Sequence, residues 1–276
     1  MASPRGLAFF WPAGNLFAAL TEQQARVTLA TEQRTMRVRV LFFGMLKDVA
    51  GKSSDTFELC EGARVRDVLA RCESQIPRLQ DAMASLAIAV NQQYAGTETT
   101  LQSGDEVALL PPVSGGSGEP GRDAISGLRA WLIREPIETS RVLASLKRGE
   151  DGAVVVFEGV VRDQTRGRRT LYLDYEAYEA MARQEMEGLA EQALKQFPVR
   201  DVVLVHRLGR LEIGETSVLI IVAAAHRGTA FDACRWLIDT LKRTVPIWKR
   251  EHFEDGAVWA DGEPFPAEIP RANSGA

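Results

Sequence analysis

The sequence is poor in the residues that build disulfide frameworks and metal centres. Its three cysteines (Cys60, Cys72, Cys234) are too few and too scattered for either. Its three histidines (His206, His226, His252) lack the spacing of a ligand set, so no metal is expected. A long apolar run is also missing. The nearest candidate, Leu7 to Leu20, is interrupted by Pro12, Gly14 and Asn15. That argues against a membrane span and against a secretory signal. Nor is there much charge of one sign: 33 Lys and Arg stand against 37 Asp and Glu, a net charge of −4. Nucleic-acid binding by the chain as a whole is therefore not expected, and any anion site must come from a local basic cluster. No internal repeat is visible. A reducing cytoplasm is the simplest compartment.

What is present suits two soluble domains. The 276 residues are 45% hydrophobic and 25% charged, enough for two cores. Residues 1–35 have no regular pattern and read as a disordered or loosely helical extension, with Met36 a candidate natural start. Arg37 to Phe43 alternates and then turns apolar, as a strand entering a buried sheet does. A helix-like stretch from Gly44 to Gly51 follows, then a strand at Thr56 to Leu59, antiparallel to the first. Val65, Val68, Leu69 and Cys72 mark one face of an amphipathic helix. Leu86 to Val90 reads as a strand, Asn91-Gln92-Gln93 as a turn, and Glu106 to Leu110 as the last strand. The order β-β-α-β-β over about 80 residues is that of a β-grasp domain.

Pro111 and Pro112 stop that sheet and lead to Val113-Ser114-Gly115-Gly116-Ser117. On composition alone this is a flexible linker, running over 117–125. A second domain, 126–276, follows. It is expected to hold a first strand or edge within Ile125 to Ile137 and a short helix over Ser140 to Lys147. A long buried strand is expected from Ala153 to Arg162, and another over Leu171 to Glu176. A helix over Ala180 to Phe197 and strands at Val202 to His206 and Ser217 to Ala225 come next. The last element expected is a helix from Thr229, as its N-cap, to Lys242, with Pro246 preventing continuation.

Val40-Leu41-Phe42-Phe43-Gly44, Ala89-Val90-Asn91-Gln92, Gly104-Asp105-Glu106-Val107 and Pro111 to Gly116 closely resemble the small subunit of molybdopterin synthase, a ubiquitin-like sulfur carrier. Gly159-Val160-Val161-Arg162, His206-Arg207-Leu208-Gly209, Ala225-His226-Arg227, Leu241-Lys242 and Pro246-Ile247-Trp248-Lys249-Arg250-Glu251 resemble its large, catalytic subunit. The chain thus resembles a fusion of the two, small one first. The resemblance implies an α+β protein: a β-grasp domain followed by an α/β hammerhead domain. It also implies a sulfurtransferase of molybdenum cofactor biosynthesis that converts cyclic pyranopterin monophosphate into the dithiolene of molybdopterin. The sulfur would arrive as a thiocarboxylate on Gly116, with no further cofactor.

On the same resemblance, Lys242 lies at the end of the carrier's tail as a catalytic residue, either moving a proton or stabilising an oxyanion. Lys249 contacts the phosphate or pterin, with Trp248 fixing it. Arg162, His226, Arg227 and Arg250 bind the anionic substrate. His206 and Arg207 are expected to be structural. Implied partners are an adenylating activating enzyme and a sulfurtransferase. A helix from Thr229 to Lys242 is about 20 Å long, so His226 and Lys242 are not expected in one small pocket of one protomer. A homodimer through the second domain would bring them together.

One departure matters. Gly116 is bonded to Ser117, and an amide cannot be adenylated as a carboxylate can. Cleavage between Gly116 and Ser117 by a processing protease is expected. The alternative is an uncut chain whose β-grasp domain only docks, while the second domain uses a separate carrier.

Overall fold

A computed structural model describes residues 34–112, 129–262 and 264–272. The Gly115-Gly116 pair, Ser117, the linker and residues 1–33 lie outside these.

The first half contains β1 (Thr35–Phe42), α1 (Met45–Ala50), β2 (Ser54–Cys60), α2 (Val65–Gln75), α3 (Gln80–Met83), β3 (Ala87–Val90), β4 (Gln93–Tyr94) and β5 (Glu106–Leu110). The sheet order is β2-β1-β5-β3-β4, with β1 parallel to β5 and β3 antiparallel to it. Phe42 N–H donates to Ser53 O near one end of β1 while Arg37 pairs with Glu58 at the other, so β1 and β2 run antiparallel. This is the expected β-grasp. Thr35, assigned to the extension by its sequence, already belongs to β1. The turn Pro77–Leu79 and α3 were not anticipated; Pro77 opens the new turn after α2 ends. Asn91 and Gln92 both have positive φ, as a two-residue hairpin requires. Asn91 does more than turn the chain: its side chain donates to Asp105 and accepts from the backbone of Glu106, fixing the start of β5.

Both faces of this sheet are covered. Val38, Val40, Phe42, Ile88, Val107 and Leu109 point to the domain's own helices. Leu41, Ala87, Ala89, Ala108 and Leu110, one residue out of phase, meet Tyr178, Met181, Trp248 and Phe265 of the second half. That is why these strands read as unbroken apolar runs.

The second half contains β6 (Ala130–Ile133), α4 (Thr139–Leu146), β7 (Ala153–Val160), β8 (Gln164–Thr165), β9 (Arg168–Ala177), α5 (Glu179–Gln196), β10 (Asp201–Arg207), β11 (Gly209–Glu212), β12 (Thr216–Ala224), α6 (Arg227–Thr244), β13 (Ile247–Phe253) and β14 (Gly256–Trp259). One sheet has the order β6-β10-β12-β7, and its core lies under α5 and α6. The other runs β11-β9-β13-β14, with β8 paired to β9.

Three expectations need correction. Only Ala130–Ile133 of the 125–137 stretch is strand. β7 stops at Val160 and is not buried throughout: it is a sheet edge, with Val156, Glu158 and Val160 exposed on alternate positions. The last long helix starts at Arg227, with His226 and not Thr229 as its N-cap, and runs to Thr244. His226 holds extended torsions straight off β12, so the helix begins before the threonine is reached, and no side chain caps it. The β13–β14 hairpin was not foreseen.

Gly159 is forced by space. A Cβ there would lie 2.5 Å from Val218 Cγ1 on the paired strand.

His206 and Arg207 are buried, in keeping with a structural role. Arg207 N–H donates to His206 Nδ1 at 2.9 Å, and the Arg207 guanidinium pairs with Glu215 at 3.1 Å. Burial lowers the His206 pKa to about 3. The unfolded chain takes up this proton below about pH 6.5, whereas the folded chain resists it until near pH 3. Stability from this residue is therefore complete above about pH 6.5 and is lost as pH falls, by up to about 1.4 kcal/mol per unit. His206→Asn, whose Oδ1 can replace Nδ1 as acceptor, is expected to flatten the curve between pH 6 and 4. An unchanged slope in urea unfolding across that range would contradict it.

Candidate active site

The alternation of β13 divides its functional residues between two faces. Trp248 and Arg250 face the β-grasp domain. Trp248 is 3% exposed, stacks on Phe43 with centroids 5.0 Å apart and donates from Nε1 to Pro111 O at 2.8 Å. Gly44, at φ +53°, makes room: a Cβ there would come within 3.1 Å of Trp248 and 3.2 Å of Pro111. Around this seat, Lys47 pairs with Glu176, and Trp259 Nε1 donates to Asp48 at 3.0 Å. Tyr94 gives its hydroxyl proton to Thr244 O at 2.7 Å, in the last turn of α6. Tyr178 donates to Glu106, and burial with that carboxylate raises the phenol's pKa.

Lys249 and Glu251 share the opposite face. Lys249 Nζ lies 2.8 Å from Glu251 Oε1, with the carboxylate side chain 7% exposed and the lysine 23%. Across the strand pair, Lys249 is in register with Tyr175, whose hydroxyl is pushed up to about 12, first by burial, then by the Glu251 charge. Tyr175 also bonds to Ser217, which donates to Gly159 O at 2.9 Å. The chain of contacts runs from Lys249 to the end of β7, where Arg162 is exposed.

The remaining residues fall into place along α6. Lys242 is exposed in its last turn, shortly before Ile247, the first residue of β13. Because α6 doubles back on β12, Lys242 returns to the end of the sheet where β7 terminates. Arg162, Lys242 and Lys249 therefore share one end of the domain. His226 and Arg227, both exposed, sit at the other end of α6, about 24 Å from Lys242 at 1.5 Å per residue. Arg250 joins neither group: it lies over Trp259 and 3.9 Å from Asp48 of the β-grasp domain.

Glu251 and Tyr175 were missed as site residues. The signal for Glu251 was there: on a strand, a carboxylate two residues after a lysine lies on the same face. Among the described residues no cluster of His, Cys, Asp and Glu could hold a metal, and no helix is long and apolar enough to cross a membrane.

The family model for the MoaE protein matches residues 132–244, and the ThiS family model matches 40–116. The molybdopterin synthase catalytic subunit of Pyrococcus abyssi is 41% identical over 134 residues, 48% of this chain and 90% of that protein. The chain belongs to the molybdopterin synthase catalytic subunit family. The family member from Thermoplasma volcanium is 45% identical over 125 residues, 45% of this chain and 91% of that one. A crystal structure of molybdopterin synthase from Staphylococcus aureus is 38% identical, covers 48% of this chain and 96% of that one, and has a TM-score of 0.46. Here the family's domain is preceded by a ThiS-family domain in the same chain, and that match ends on Gly116.

Proposed function

We propose that this chain carries both parts of a molybdopterin synthase, transferring sulfur from a Gly116 thiocarboxylate to cyclic pyranopterin monophosphate. One observation supports this most. Pro111 is bonded to Trp248, the residue before Lys249, and Gly116 is five residues further on. Five residues reach at most about 18 Å, which bounds how far the sulfur can lie from the Pro111–Trp248 bond.

In this reading the thiocarboxylate sulfur attacks an oxygen-bearing substrate carbon and forms a C–S bond as a C–O bond of that carbon breaks, its oxygen leaving as water or remaining on the phosphate. Two charged carriers are needed for the two sulfurs. Water then hydrolyses the acyl–sulfur bond, leaving sulfur on the pterin and a glycine carboxylate on the carrier. Lys249, held by Glu251, and Lys242 supply positive charge where the acyl oxygen becomes anionic. Arg162 at the same end suits the substrate phosphate. His226 and Arg227 are too far away within one protomer, so they serve a site completed by a second copy. Arg250 serves docking of the carrier.

The chemistry needs a free carboxylate, hence cleavage after Gly116, followed by adenylation and sulfuration by separate enzymes. Intact mass of the protein from its own cells is the test. Two fragments meeting at Gly116/Ser117, the smaller partly shifted by oxygen-to-sulfur exchange, are expected. A single uncut mass would overturn this and favour a docking-only β-grasp domain served by another carrier.

A further inference from the structure

After β14 the chain returns to the β-grasp domain. Phe265 is 3% exposed and joins the apolar cluster between the halves, edge-on to Tyr94 at 6.1 Å. Ile269 packs against the same cluster. Arg271 donates to Phe265 O at 2.7 Å, closing the segment on itself. Arg271 then makes an antiparallel bridge with Ala87 of β3, and Ala272 N–H donates to Leu86 O at 3.0 Å. Ala272 is 8% exposed and belongs to the β-grasp domain's own core, with Leu86, Ile88 and Leu109.

We propose that residues 264–272 are a clasp that retains the β-grasp domain on the catalytic domain once the linker is cut, and that sets how fast this domain leaves. The clasp combines three kinds of hold on one element: an aromatic anchor, a strand-like bridge and a residue inside the other domain's core. It needs no residue of the glycine tail. A carrier that must leave to be recharged would have to lift the clasp off β3 each time. That last point rests on the sulfur-carrier reading; the retention itself does not.

The test uses the full chain with a site-specific protease sequence placed within 117–125. Cleaving it makes the break independent of any natural processing and of sulfur chemistry. The exchange of a labelled β-grasp half into the cut complex is then followed. Removal of 264–276 is expected to speed exchange at least tenfold, and Phe265→Ala by a smaller factor in the same direction. Exchange as slow as in the parent for both variants would overturn the proposal. The Phe265→Ala chain guards against misfolding of the truncation: its uncut form should keep the parent's circular dichroism, and faster exchange with an unchanged spectrum supports the clasp.

Discussion

Lys249→Ala is expected to lower sulfur transfer by about 10³-fold, within the range found for removing a positioned proton-transfer or charge-stabilising group. It is also expected to destabilise the fold, because Glu251 stays buried without the cation 2.8 Å from it. Orphaning one partner of a buried pair costs about 3–5 kcal/mol, and the partial exposure of Lys249 brings that nearer to about 2 kcal/mol. The two effects are separable. Lys249→Ala with Glu251→Gln should recover most of the stability, since a neutral amide is cheaper to bury than a carboxylate. It should recover none of the activity. Glu251→Gln alone keeps an oxygen that can accept from the ammonium but removes the paired charge, and a loss of about tenfold is expected. Assays with pre-formed thiocarboxylate carrier would read this directly. Activity within threefold of the parent for Lys249→Ala would remove Lys249 from the mechanism.

Trp248→Ala is expected to have the largest effect on docking. It removes a buried ring that stacks on Phe43 and bonds to Pro111. Truncating a buried tryptophan costs about 3–5 kcal/mol, which as binding energy weakens the β-grasp half's affinity by roughly 150- to 4,000-fold. Trp248→Phe keeps a ring over Phe43 and loses only the bond to Pro111 O, about 1 kcal/mol or roughly fivefold. The order parent, Phe, Ala in carrier affinity after linker cleavage therefore distinguishes packing from the tether on the tail. Equal affinity for parent and Ala would mean that the interface does not hold the carrier.

The β-grasp domain was legible because its helix carries its period in the side chains, its strands stand out as short apolar runs, and its turns carry Gly, Asn and Pro. The lysine end of the site was legible only through motifs. No period shows that Arg162, Lys242 and Lys249 lie toward one end of the domain; that follows from α6 folding back along β12. The family motif puts Arg250 among the substrate cations, whereas the strand turns it to the face opposite Lys249, over Trp259 and 3.9 Å from Asp48. The β13–β14 hairpin was hidden by three consecutive charged residues of β13, Lys249, Arg250 and Glu251, which pair across domains and within the site. The clasp was hidden more completely. Pro264-Phe265-Pro266 and Ile269-Pro270 carry no helix or strand period, and their partners lie far back in the chain, around β3 and β4.

The two-sided burial of the β-grasp sheet has a thermodynamic consequence. Neither half can expose its side of that shared layer without leaving an apolar surface in water, so the halves should melt together in one cooperative transition. While the peptide linker is intact, that transition is unimolecular, and its midpoint is independent of protein concentration. Once the linker is cut, the same contacts join two molecules, and the midpoint should rise with concentration by mass action.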